Sequence, residues 1–74
     1  MNNDEIIEIY NGLDDKAIMV LYLVNGDRVT LLRKEYKLLC HDEEVIIAFD
    51  DDEKYYIGTY SVVAIKIFNM RRDD

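Results

Sequence analysis

Hydrophobic residues fall first at helical spacing and then, from Ala17 onward, at strand spacing. Ile6, Ile9, Tyr10 and Leu13 stand at i, i+3, i+4 and i+7, one face of a short helix over residues 3–12. Asn2 followed by Glu5 three positions later has the form of a capping box, and Asp4, Glu5 and Glu8 suit the positive end of a helix dipole. Asn11-Gly12 reads as a left-handed stop. So short a helix does not hold in water alone, so its Ile/Tyr face must lie against the rest of the chain.

The strand pattern begins with Ala17 to Val24, apolar at both parities. Such a strand is covered on both faces, here by the core on one side and the helix on the other. Asn25-Gly26-Asp27 is a tight hairpin signal, because Asn-Gly tolerates the positive φ angles that such turns need. Further strands are expected over 45–49, 54–60 and 62–68, with Asp50 to Lys54 as a turn region between two of them. In the last strand Val63, Ile65 and Ile67 share one face, and Val62, Ala64 and Phe68 the other.

Residues 28–40 change parity. Val29 and Leu31 alternate inward at odd positions, whereas Tyr36, Leu38 and Cys40 do so at even ones. A strand cannot change faces without an irregularity. A bulge or sharp bend near Arg33-Lys34-Glu35 supplies one and keeps 28–40 as a single bent strand; a short loop there would instead make one extra strand. The bent strand is the preferred reading. The expected class is mainly β with a short N-terminal helix, as a five-stranded, strongly bent antiparallel sheet or small barrel, in a single domain over 1–74.

Seventy-four residues allow one small domain with an economical core. Half are hydrophobic, too many for a disordered acidic tail, although 16 Asp and Glu against 9 Lys and Arg leave a formal charge of −7. One cysteine excludes an intrachain disulfide and makes a reducing, cytoplasmic setting the expectation. The opening Met1-Asn2-Asn3-Asp4-Glu5 has no signal-peptide character, and the longest apolar run is far short of the ~20 residues that span a bilayer.

The order of elements and two stretches of sequence resemble the Sm-like small barrel. Val20-Leu21-Tyr22-Leu23-Val24-Asn25-Gly26 is similar to the first Sm strand and its turn. Ile57-Gly58-Thr59-Tyr60-Ser61-Val62-Val63-Ala64-Ile65 is similar to the second Sm segment, where a brief turn leads into the closing strand. The resemblance implies rings that bind uridine-rich RNA. However, Ile57 stands where the family commonly has Arg before the Gly, and the Asn that makes its base contact has no counterpart here.

Catalytic chemistry finds little to work with. Cys40 and His41 are the only thiol and imidazole, and neighbours on a strand point to opposite faces; a buried Cys and an exposed His are expected. Two such ligands are too few for structural zinc. The single serine, Ser61, lies in no nucleophile motif, and three scattered glycines make no phosphate loop. The acidic run Asp50-Asp51-Asp52-Glu53 lacks the spacing and central Gly of a calcium-binding EF-hand loop. No metal, cofactor or catalytic residue is expected.

Nine of the 16 acids fall at expected turns: Asp14-Asp15, Asp42-Glu43-Glu44 and Asp50 to Glu53. Alternating strand direction puts the first two groups at one end of the barrel and the third at the other, beside Asp27. Six tyrosines accompany them, of which Tyr55, Tyr56 and Tyr60 flank the last acidic turn and the final break. An acidic rim suits a basic protein surface and repels nucleic-acid phosphates. The expected function is therefore a non-enzymatic, protein-binding module. Its concrete form is a phage-type inhibitor that blocks a basic nucleic-acid-binding surface of a defence or DNA-processing enzyme. The expected contact residues are Asp50, Asp51, Asp52, Glu53, Tyr55, Tyr56 and Tyr60. The alternative is an Sm-like homo-oligomeric ring with a structural or RNA-related role.

Overall fold

A computed structural model describes residues 2–69. Helix α1 (Asn3–Asn11) is followed by β1 (Ala17–Leu23), β2 (Arg28–Leu32), β3 (Lys37–Asp42), β4 (Val45–Phe49) and β5 (Lys54–Gly58). A single 3-10 turn (Thr59–Ser61) then leads into β6 (Val62–Asn69). The strands form two three-stranded antiparallel sheets, ordered β2-β1-β6 and β3-β4-β5. The mainly β class with one short N-terminal helix is as expected. Among the described residues the strand count is six rather than five, and the sheets do not close into a barrel. None of the described helices is long and apolar enough to cross a membrane.

The parity change decides the extra strand. Leu32 O accepts from both Glu35 N and Tyr36 N, at 3.0 Å each, which turns the backbone sharply enough to end β2. Leu31 in β2 and Tyr36, at the end of the turn just before β3, then both face the core. The continuous bent strand over 28–40 is thus replaced by two strands and a turn.

Both halves of the capping box form at α1: Asn2 Oδ1 accepts from Glu5 N at 2.9 Å, and Glu5 Oε1 accepts from Asn2 N at 3.1 Å. The helix ends without a left-handed residue, since Gly12 has φ −81°. Its buried face is also rotated from the expected one. Asn3, Ile6 and Tyr10 are buried, Ile7 and Leu13 pack at the margin, and Ile9 is exposed. Two anchors fix the helix. The Asn3 side-chain amide donates to the carbonyls of Asp42 and Val45, across the β3–β4 turn. At the other end, Tyr10 OH donates to Tyr36 O at 2.7 Å and Leu32 O at 3.2 Å.

Ile6 and Tyr10 thereby join Met19, Leu21, Leu31, Leu38, Ile46, Ala48 and Ile57 in one core. The helix lies on the core side of β1. It does not cover the opposite face, as the apolar run of β1 had implied. Ile18, Val20 and Tyr22 face outward there, and the cleft at Val20 and Tyr22 is lined by side chains of their own sheet.

The Asn25-Gly26 hairpin takes the three-residue form. Leu23 O accepts from Gly26 N, Leu23 N donates to Asp27 O, and Gly26 alone has a positive φ, 92°. That form is a turn closed by a left-handed glycine.

Candidate functional site

The acidic β4–β5 turn is a built structure rather than a loose loop. Asp50 Oδ1 accepts from Asp52 N at 2.8 Å and Glu53 N at 2.7 Å, and Asp50 N donates to Glu53 O at 3.0 Å. These backbone donors hold the Asp50 carboxyl below its ordinary pKa. Glu53 accepts from Tyr36 OH at 2.8 Å and from Tyr55 OH at 3.4 Å. The hydrogen bond to Glu53, burial and the nearby carboxylates keep the Tyr36 phenol well above its usual range. Asp50 and Glu53 are thus engaged in the fold. Asp51 and Asp52 are exposed at the tip, beside a cleft they share with Lys34, Glu35 and Asp50.

The seven expected contact residues do not form one surface. Tyr55 turns inward, its ring 6.2 Å from that of Tyr36. Tyr56 points to the other side of the sheet, 61% exposed, with its ring edge-on to His41 at 5.4 Å. Tyr60 is 81% exposed in the 3-10 turn, at the far end of β5 from the acidic turn. Five residues of strand separate the two, about 17 Å.

The acids regroup as well. Asp27 is not beside Asp50 to Glu53. The acidic turn faces the Lys34-Glu35 corner, and Asp27 sits at the opposite end of β2, about 16 Å away by strand length. The Asn25 hairpin and Asp42 to Glu44 instead flank the 3-10 turn, where Val24 N donates to Ser61 O and Thr59 N to Glu44 O. Asp14 and Asp15 follow the C-terminal end of α1, whereas Asp42 lies against its N-terminal end, a helix length of about 13 Å apart. Alternating strand direction fails as a guide here because the corner at Arg33–Tyr36 redirects the chain between the two sheets.

Cys40 is exposed, not buried, at the end of the regular β3 pairing, where the register shifts between Cys40 and Asp42. Its Sγ lies 3.1 Å from Asp42 O, and His41 turns to Tyr56, so the two side chains make no pair. No group of three or more His, Cys, Asp or Glu among the described residues is placed to hold a metal ion.

Sequence reasoning passed over the outer faces of both sheets. On β3-β4-β5 the register aligns Leu39, Ile47 and Tyr56 in one row, with Lys37, Phe49 and Lys54 in the next. Leu39 is 55% exposed. On β2-β1-β6, Arg28 and Lys66 lie on either side of β1. The detectable signal was the scarcity of Asp and Glu at outward strand positions, where Asp42 at the end of β3 is the one acid among the described residues. Comparison with protein-family models, with curated proteins and with solved structures gave no match.

Proposed function

We propose that this chain is a non-enzymatic binding module that recognises another protein through its acidic β4–β5 hairpin. The observation that carries this reading is the division of labour in that turn. Asp50 and Glu53 hold it rigid, and Asp51 and Asp52 are left facing solvent. A rigid pair of carboxylates loses little freedom on binding and steers a basic partner at long range. The Leu39–Ile47–Tyr56 row, on a neighbouring face with Leu39 and Tyr56 exposed and Ile47 half-buried between them, adds the apolar contact that charge alone lacks. With a net charge of −7, the fitting partner is a protein with a basic surface, such as one that binds nucleic acid. Occupying that surface would inhibit it.

The test is affinity capture from the native cell, followed by binding kinetics of the captured partner across a salt series. Asp51→Asn with Asp52→Asn takes the charge from −7 to −5 and leaves the turn's hydrogen bonds in place. Association should slow and its salt dependence flatten, while Asp42→Asn with Glu43→Gln changes less. Equal kinetics for the wild type and both variants would sink the reading.

A second reading is favoured by β6, which among the described residues pairs only with β1 and leaves Ile67 43% exposed along an open edge. Such an edge is a template for strand pairing between copies, as in an Sm-like ring. Light scattering decides it: a ring gives a salt-resistant multiple of the 8.8 kDa chain.

A further inference from the structure

We infer that the outer face of the β2-β1-β6 sheet is a second contact surface, of opposite charge character, which takes an extended acidic peptide segment of a protein partner. Nine side chains point outward from this sheet: Ile18, Val20 and Tyr22 on β1, Arg28, Thr30 and Leu32 on β2, and Ala64, Lys66 and Phe68 on β6. None is acidic, in a chain with 16 acids. Strands disfavour Asp and Glu, but they disfavour Lys too, and this face keeps two cations.

The cations are arranged, not scattered. Register places Arg28 level with Tyr22 and Lys66 level with Val20, on opposite sides of β1. Two strand spacings and a two-residue offset put their Cα atoms roughly 12 Å apart. Between them lies a shallow cleft of about 270 Å3, with Thr30, Tyr22 and Phe68 on its walls. Val20 is its floor, only 6% exposed beneath the side chains that line the cleft. The Lys66 ammonium stands 5.6 Å from the centre of the Phe68 ring, which holds it at the cleft rather than free in solvent.

The geometry favours a peptide over a smaller or more highly charged anion. Carboxylates at alternate positions of an extended strand project on one side, about 7 Å apart, within reach of both the Arg28 fork and the Lys66 ammonium. Apolar residues beside them would cover Ile18 and Phe68. The overall charge of −7 opposes polyanions such as nucleic acid far more than a segment carrying two or three carboxylates. The molecule would then carry an acidic contact at the hairpin and a basic one on this face, and could join two partners.

The test is a heteronuclear NMR titration of the full chain with acetyl-Glu-Val-Glu-Val-Glu-amide. Its Gln analogue, inorganic phosphate and adenosine monophosphate form the other arms. The expected result is amide shifts concentrated at residues 18–22, 28–32 and 64–68, with the Gln analogue binding about tenfold or more weakly. Arg28→Gln with Lys66→Met should abolish the shifts, and Lys54→Met on the other sheet should leave them. Both substitutions lie at exposed positions, and an unchanged spectrum elsewhere verifies folding. Four results would each overturn the proposal: equal binding of the Gln analogue, equal or tighter binding of phosphate or the mononucleotide at these residues, an equal effect of Lys54→Met, or no shifts at millimolar peptide.

Discussion

Tyr10→Phe removes one oxygen atom and tests how the helix is fastened to the sheets. The Tyr10 side chain is fully buried, and its hydroxyl is the donor shared by Tyr36 O and Leu32 O, the two carbonyls that bracket the corner between the sheets. Arg33 covers the same ring, its guanidinium carbon 5.0 Å from the ring centre, and donates Nε–H to Tyr10 O at 3.0 Å. Burial raises the Tyr10 phenol pKa and the Arg33 charge opposes the rise, so the hydroxyl stays a donor at neutral pH. Phenylalanine keeps the ring, the packing and the Arg33 contact. What is lost is a net hydrogen bond, together with the desolvation left on a buried carbonyl, about 1–3 kcal/mol in all. In a domain of this size each kcal/mol moves Tm by about 4–8 °C, so a fall of roughly 5–20 °C is expected. Total stability of about 4–11 kcal/mol leaves the variant folded at room temperature. Circular dichroism gives the Tm, and amide exchange localises the effect. Residues 33–36 should exchange faster in the variant, while the β4–β5 ladder loses only what global stability loses. A Tm within 2 °C of wild type, with no change in exchange at the corner, would refute the assignment of Tyr10 as the fastener.

Leu31→Asp places a charge at a fully buried core position, and should abolish the cooperative melt; a near-native melt would show that the inward face of β2 is misassigned. Asp50 has a folded pKa below its ordinary value, so its stabilisation is present above that ordinary value and is lost as pH falls through the folded one. Asp50→Asn should therefore weaken the fold at neutral pH and flatten the acid limb of a stability–pH curve measured by urea unfolding. Cys40→Ser and His41→Ala, both at exposed positions, should each leave stability within about 0.5 kcal/mol and binding of the captured partner unchanged. Loss of binding in a folded variant would give the Cys40–His41 pair a role that its geometry does not suggest.

The sequence by itself determined whatever depends on neighbours a few residues away. Asn2 and Glu5 cap each other within one turn, apolar alternation marks strands wherever one face is buried, and Gly26 supplies the left-handed residue its hairpin needs. The Leu31-to-Tyr36 parity change located the irregularity between β2 and β3, because a two-residue period cannot hide a slipped register. Tertiary structure decided the rest. Whether the irregularity is a bend or a turn depended on two hydrogen bonds to Leu32 O and on Tyr10 reaching across to the corner. Which tyrosines are available, Tyr56 and Tyr60 but not Tyr55, followed from how Tyr36 and Glu53 take the inner side of β5. The grouping of the acidic turns was misread for the same reason: strand direction fixes which end of a strand a turn occupies, and two sheets meeting at a corner no longer share their ends. The apolar outer side of β1 looked like a surface for the helix. It became a cleft walled by Arg28 and Lys66 because a helix nine residues long, anchored at Asn3 and Tyr10, is already committed to the core side. Periodicity shows that a face is apolar; only the three-dimensional path of the chain determines what covers it.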